Sequence, residues 1–181
     1  MIRMQQCFRA LGFSAGGTVR LSALLGMLCL APLLRAQDRL SAGGGGVHIP
    51  GGDHRSIYYM EFHFDLEMGG FQPMAGLLAA ADGDQYYYAG FRKEFPLSER
   101  LRFIPSLCAG YFREGDRRDD LGGPLEFHTM LRLEYRPGQA FGMGLALGHI
   151  SNAHIYNYNP GSNSISLHLS LPLGGKSRPN P

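Results

Sequence analysis

The chain has 181 residues, with 17 lysines and arginines against 15 aspartates and glutamates, a formal charge of +2. Four of the basic residues (Arg3, Arg9, Arg20, Arg35) and none of the acidic ones fall in the first 36 positions, so the remainder holds 13 basic and 15 acidic side chains and carries −2. That balance excludes nucleic-acid binding through a basic surface, and with Cys7 and Cys29 also in the first 36 residues, the single Cys108 excludes a disulfide-stapled scaffold.

The N-terminal stretch reads as a secretory signal. Arg3, Arg9 and Arg20 precede an apolar run over 21–34, and Ala36 offers a small residue at a cleavage point. A basic n-region, a short h-region and a small-residue site mark a signal peptide rather than a membrane span. The expected organisation is therefore a leader at 1–36, one domain at 37–173 and a short tail at 174–181, with Sec-type export of the mature chain. Residues 43–46 are four glycines, followed by Val47, His48 and Ile49. They read either as a lead-in or as a short first strand over 47–49. No Gly-Lys-Ser/Thr follows them, so they do not form a phosphate-binding loop.

From Ile57 onward, period-2 alternation marks strands. Tyr58, Met60, Phe62 and Phe64 alternate with Tyr59, Glu61, His63 and Asp65. A small apolar run over 73–81 ends at Asp82-Gly83, a tight-turn signal. Further runs cover 86–95, 100–112 and 125–135, and Arg136-Pro137-Gly138 is another turn. Two last strands, over 141–148 and 164–171, bring the total to seven, or eight with 47–49. No helical pattern remains after the leader. The reading is a single all-β domain.

Two arrangements satisfy this pattern. A soluble sandwich or lipid-binding barrel would hide its apolar face, whereas an outer-membrane β-barrel turns that face to lipid and keeps polar side chains inside. Charges of both signs on one face (Glu61, Asp65, Arg92, Glu94, Arg132, Glu134) can pair inside a small lumen. Tyr58, Tyr59, Tyr86, Tyr87, Phe95, Tyr111 and Tyr135 lie near strand ends, as interfacial girdles do. The Gly-, Lys- and Pro-bearing tail is an unusual ending for such a barrel. The expected fold is an antiparallel up-and-down outer-membrane β-barrel of eight strands.

The stretch over 148–164 joins the last two strands and concentrates the chemistry. Alternation places His149 and Ser151 on the face of Leu145 and Leu147, and Asn163 on the face of Ile165 and Leu167. An imidazole and a hydroxyl two residues apart on a strand point the same way. Such a pair is either a functional site or the ordinary rim of an apolar face.

The string His149-Ile150-Ser151-Asn152-Ala153, followed by Asn159-Pro160-Gly161 and Ser164, resembles the signature of the PagL-type lipid A 3-O-deacylases, the outer-membrane acyloxyacyl hydrolases. The resemblance implies a small outer-membrane barrel that removes an ester-linked acyl chain from lipid A of lipopolysaccharide. It makes Ser151 the nucleophile and His149 the general base. Asn152, Asn159 and the backbone near Ala153 or Gly161 become candidates for the oxyanion hole, although Asn and Gly also serve turn geometry alone. With an inward start, the seventh of eight strands runs outward and ends at the external rim, facing the outer leaflet.

One position departs from the family pattern. Where those enzymes have a Glu orienting the histidine, this chain has Asn163, and no Asp or Glu occurs from Arg136 to the C-terminus. Replacing an orienting carboxylate by an amide in a serine triad costs roughly 10⁴ in rate. A weaker Ser-His-Asn triad, an acid borrowed from a neighbouring strand such as Glu126, or a barrel without activity would each follow. His63, His128 and His168 fall on the polar face and read as lumen residues, and His154 as a loop residue. No metal or other cofactor is expected. The partners expected are lipid A and membrane lipids, without nucleic acid, in a monomer or homodimer. A non-enzymatic outer-membrane barrel and a lipid-binding β-barrel stand as alternatives.

Overall fold

A computed structural model describes residues 38–48, 54–115 and 121–173. The leader 1–36 and the tail 174–181 lie outside the described residues. Nine strands follow in order: β1 Arg39–His48, β2 His54–His63, β3 Gln72–Ala80, β4 Gln85–Arg92, β5 Phe95–Pro96, β6 Leu101–Arg113, β7 Leu125–Tyr135, β8 Gly142–Ser151 and β9 Ser162–Pro172. Each long strand pairs antiparallel with the next, and β4 pairs with β6. β5 is a two-residue continuation of β4 that also pairs with β6. β1 pairs with both β2 and β9, from Arg39↔Pro172 to His48↔Asn163. Eight strands thus close on themselves and leave no sheet edge, as a backbone in lipid requires.

The first strand is longer than its sequence suggests. A short strand over 47–49 was expected, but β1 runs from Arg39 through all four glycines, and Ile49 lies outside the described residues. Glycine erases the alternation that signals a strand, because it has no side chain to alternate. Its presence here has a packing cause. A Cβ on Gly45 would sit 2.0 Å from the Ile165 carbonyl oxygen, and one on Gly43 would sit 2.5 Å from that of Leu167. The close approach of β1 to β9 needs both positions bare, and it completes the barrel.

The lumen holds the polar face. Glu61 is fully buried. It pairs with Arg132, accepts the Tyr88 hydroxyl at 2.9 Å and lies 3.1 Å from His63 Nε2. Toward the end where β1 starts, Arg136 grips both carboxylate oxygens of Glu94, at 2.7 and 2.8 Å, and Arg92 joins the same carboxylate at 2.8 Å. Charges left unpaired at such depth would cost several kcal/mol each. His63, His128 and His168 are buried there as well, and Cys108 is a free thiol packed in the same interior. Asp65 sits at the mouth of this end, where its backbone N–H donates to Asp38.

The outward face is apolar. Leu107, Leu131, Leu133, Leu145, Leu147, Ile165, Leu167 and Leu169 are all exposed. A continuous belt of this kind has no place on a soluble monomer and is the lipid-facing band of a membrane barrel. The expected aromatic girdle needs one correction. Tyr58, Tyr87, Tyr111, Tyr135 and Phe95 are exposed, but Tyr59 and Tyr86 are buried in the lumen. There Tyr86 stacks on Tyr88, and Tyr59 lies against His128 and His168. Adjacent tyrosines on one strand necessarily face opposite sides, so nearness to a strand end does not tell a girdle residue from a lumen one.

Candidate active site

Strand β8 ends with Leu145, Leu147 and His149 exposed between buried Ala146 and Ile150, and Ser151 follows half-buried. His149 and Ser151 therefore share the outward face. Register places Asn163 of β9 directly opposite His149. The two side chains meet, with His149 Nδ1 2.9 Å from Asn163 Oδ1. With the amide oxygen facing it, Nδ1 is the protonated nitrogen, which leaves Nε2 with its lone pair free. No hydrogen bond joins Ser151 to His149 in this structure; such contacts are often long before substrate arrives.

Gly161 makes room for the ring. A Cβ there would lie 3.2 Å from His149 Cε1 and 3.7 Å from Nε2, and its φ of +66° is a conformation that favours glycine. The side of the imidazole that carries the free nitrogen is thus kept clear.

The loop over 152–161 is organised by Asn152, which is fully buried. Its side-chain amide donates to the carbonyls of Leu121 at 2.9 Å and Tyr158 at 2.8 Å, while its Oδ1 accepts the His154 N–H at 3.0 Å. Its backbone N–H donates to Asn159 Oδ1 at 3.1 Å. Both amide hydrogens of Asn152 are consumed, so its side chain has no donor left to offer a substrate oxygen in this arrangement. Asn159 is engaged too, with Nδ2 3.3 Å from His154 Nδ1. Ala153 and His154 follow with φ of 53° and 60°. Two consecutive left-handed residues with side chains are rare and cost about 1–2 kcal/mol each. The Ala153 N–H donates to no group among the described residues.

Support also comes from the loop before β7. Leu121 is buried, a Cβ on Gly122 would meet the Tyr158 carbonyl, and one on Gly123 would meet the Tyr156 ring. From the lumen side, Tyr59 hydrogen-bonds Ser164 at 3.1 Å, next to Asn163. Glu126, named from sequence as a possible acid, is buried in the lumen, with Tyr86 donating to its backbone carbonyl. It does not share the face of His149. Among the described residues no group of three or more His, Cys, Asp or Glu is arranged to hold a metal ion.

The sequence model of the family described as lipid A 3-O-deacylase (PagL) matches residues 57–172. The chain belongs to that family. The matched span contains six of the eight long strands whole, most of β2, and the whole loop between β8 and β9. No curated protein sequence matches the chain. The crystal structure of the outer membrane enzyme PagL aligns over 75% of this chain and 99% of its own, with a TM-score of 0.53 and 20% identity. A de novo designed transmembrane β-barrel gives a TM-score of 0.56 at 9% identity, over 75% of this chain and 94% of its own. Neisserial surface protein A gives 0.53 at 9% identity, over 75% and 96%. At these identities the structures speak for the fold alone. They agree with the barrel fold. The protein is an outer-membrane β-barrel of the lipid A 3-O-deacylase family.

Some residues around the family motif have no signal in a single sequence. Leu121 and Tyr158 matter through their carbonyl groups, which any residue could supply. His48 reaches the level of Asn163 only through closure of β1 on β9. A reading that counted β1 as a full strand would have found it by pairing the first and last strands.

Proposed function

We propose that the protein is an outer-membrane esterase that removes an ester-linked hydroxyacyl chain from lipid A, with Ser151 as nucleophile, His149 as general base and Asn163 as the residue that orients His149. The observation that carries this reading is the His149–Asn163 hydrogen bond on the outward face, with Ser151 on that same face. Barrels of this class have short periplasmic turns and longer external loops, which supports an external position for the β8–β9 loop, beside the outer leaflet.

The chemistry follows from the geometry. Asn163 holds the Nδ1 proton, so Nε2 takes the Ser151 hydroxyl proton as Oγ attacks the ester carbonyl. The tetrahedral oxyanion needs donors. The unused Ala153 N–H is the first choice, because the amide hydrogens of Asn152 are spent within the loop. Asn159 and Gly161 then act by shaping the loop and clearing the ring. His149 returns its proton to the departing sugar hydroxyl; it then takes a proton from water as the water attacks the acyl-enzyme carbonyl, and returns that proton to Ser151 Oγ as the fatty acid is released. The acyl chain lies along the apolar belt below the site, so the lipid need not leave the membrane.

Mass spectrometry of lipid A after incubation with the detergent-refolded barrel tests the proposal. The wild type is expected to remove one hydroxyacyl mass, and Ser151→Ala and His149→Ala to remove none. Intact lipid A with folded wild type, or equal cleavage by Ser151→Ala, would overturn it. The amide at position 163 favours a second reading, a barrel whose catalysis has decayed. Cleavage by Asn163→Glu but not by wild type would establish that reading.

A further inference from the structure

The register that closes the barrel extends the site sideways. Thr129, His149, Asn163, His48 and His54 lie at one level across β7, β8, β9, β1 and β2, each opposite the next. All five are exposed. The last two are imidazoles whose ring centroids lie 4.8 Å apart, tilted by 33°. Neither is used by the reaction described above. Both stand outside the lumen, where His63, His128 and His168 are buried.

We propose that His48 and His54 form the subsite for a phosphate group on the headgroup of the lipid whose ester lies at Ser151. An imidazole offers an N–H donor in either protonation state and a positive charge when protonated. Two of them 4.8 Å apart repel when both are charged. An anion seated across the pair removes that repulsion and accepts a charge-assisted hydrogen bond from each ring. Lipid A is a phosphorylated glycolipid, so a phosphate is the anion that accompanies its ester. The spacing suits such a substrate. His48 stands two strand spacings from His149, about 10 Å, a distance that one sugar ring with its ester and phosphate substituents bridges. The row from His149 through Asn163 to His48 follows the strand register around the outside of the barrel, so the imidazole pair and the proposed base share its outer surface.

This inference rests on the proposed esterase reading, and its test separates the two. Wild type and the His48→Gln/His54→Gln variant are assayed in mixed micelles on lipid A and on phosphatase-treated lipid A. The variant is expected to raise KM for the phosphorylated lipid about tenfold, the equivalent of about 1.4 kcal/mol, while kcat stays within about twofold. On the dephosphorylated lipid the two proteins are expected to behave alike. An unchanged KM, or an equal loss on both lipids, would overturn the subsite. A second readout does not need turnover. In Ser151→Ala protein, the ring NMR signals of His48 and His54 are expected to shift with lipid A and not with its dephosphorylated form. Equal shifts with inorganic phosphate alone at the same concentration would overturn the headgroup assignment in favour of a free-anion site. If wild type cleaves nothing while these signals still shift with lipid A, the esterase reading fails and the phosphate subsite stands.

Discussion

His149 has one nitrogen committed to an uncharged partner, the side-chain amide of Asn163. An amide oxygen fixes the ring and its tautomer, but it gives an imidazolium no ionic stabilisation. Asn163→Glu should therefore raise kcat on lipid A by roughly tenfold or more, up to a ceiling of roughly 10⁴. Asn163→Ala should lower it, because the ring loses the hydrogen bond that orients it. Steady-state kinetics of the three proteins tests both directions; a Glu variant slower than wild type would show that the site is built around the amide. Gly161→Ala tests clearance of the ring. Its Cβ would press on His149 Cε1 at 3.2 Å while the backbone stays at a φ of +66°. We expect activity to fall roughly tenfold or more through misplacement of the base, with about 1–2 kcal/mol of stability lost to the left-handed alanine. Unchanged turnover in that variant would remove Gly161 from the site.

The two loops beside the site behave as one element because Asn152 ties them. Its side chain bonds one carbonyl in the loop before β7 and another in its own loop, and it also holds the His154 N–H. Asn152→Ala would leave these three groups without partners in a buried place, each at a cost of about 1–3 kcal/mol unless water reaches it. The expected result is faster proteolysis and faster amide exchange over 121–125 and 152–161, with strands β2 to β4 unaffected. Exchange that does not change in those loops would show that Asn152 does not hold them together. Much of this organisation was hidden in the sequence. The motif placed Asn152 beside the nucleophile and suggested an oxyanion donor. Its actual partners are backbone carbonyls from residues 31 and 6 positions away, which no residue pattern marks. The same limit applies to β1. Strands with bulky side chains on alternate positions were legible from Ile57 onward, but Gly43 and Gly45 are bare because β9 approaches them, and a bare strand has no alternation to read.

At the scale of the molecule, the barrel is a soluble protein turned inside out, with an ion-paired lumen and an aliphatic exterior. The charged face was legible because Glu61 and Asp65, Arg92 and Glu94, and Arg132 and Glu134 each stand an even number of positions apart within one alternating run, and charges of both signs on one face can pair in a closed lumen. The inward tyrosines were legible by parity, since Tyr59 shares the alternation class of Glu61 and Tyr86 that of Arg92; nearness to a strand end, which grouped them with the girdle, does not distinguish them. The arrangement makes a direct prediction. Leu167, 68% exposed on β9, should cost about 2–4 kcal/mol when changed to Arg if it lies near the bilayer midplane, and much less if it lies near an interface. Denaturant titration in liposomes measures this. A neutral Leu167→Arg would contradict a lipid-facing position.

Covalent labelling tests most directly whether an outward-facing Ser151 is made nucleophilic by His149. The folded barrel would be treated with a fluorophosphonate, which reacts with activated serines, and the modified peptide identified by mass spectrometry. One adduct on Ser151 is expected in the wild type, none in His149→Ala and faster labelling in Asn163→Glu. No adduct in either wild type or Asn163→Glu, or an adduct on another serine, would contradict it.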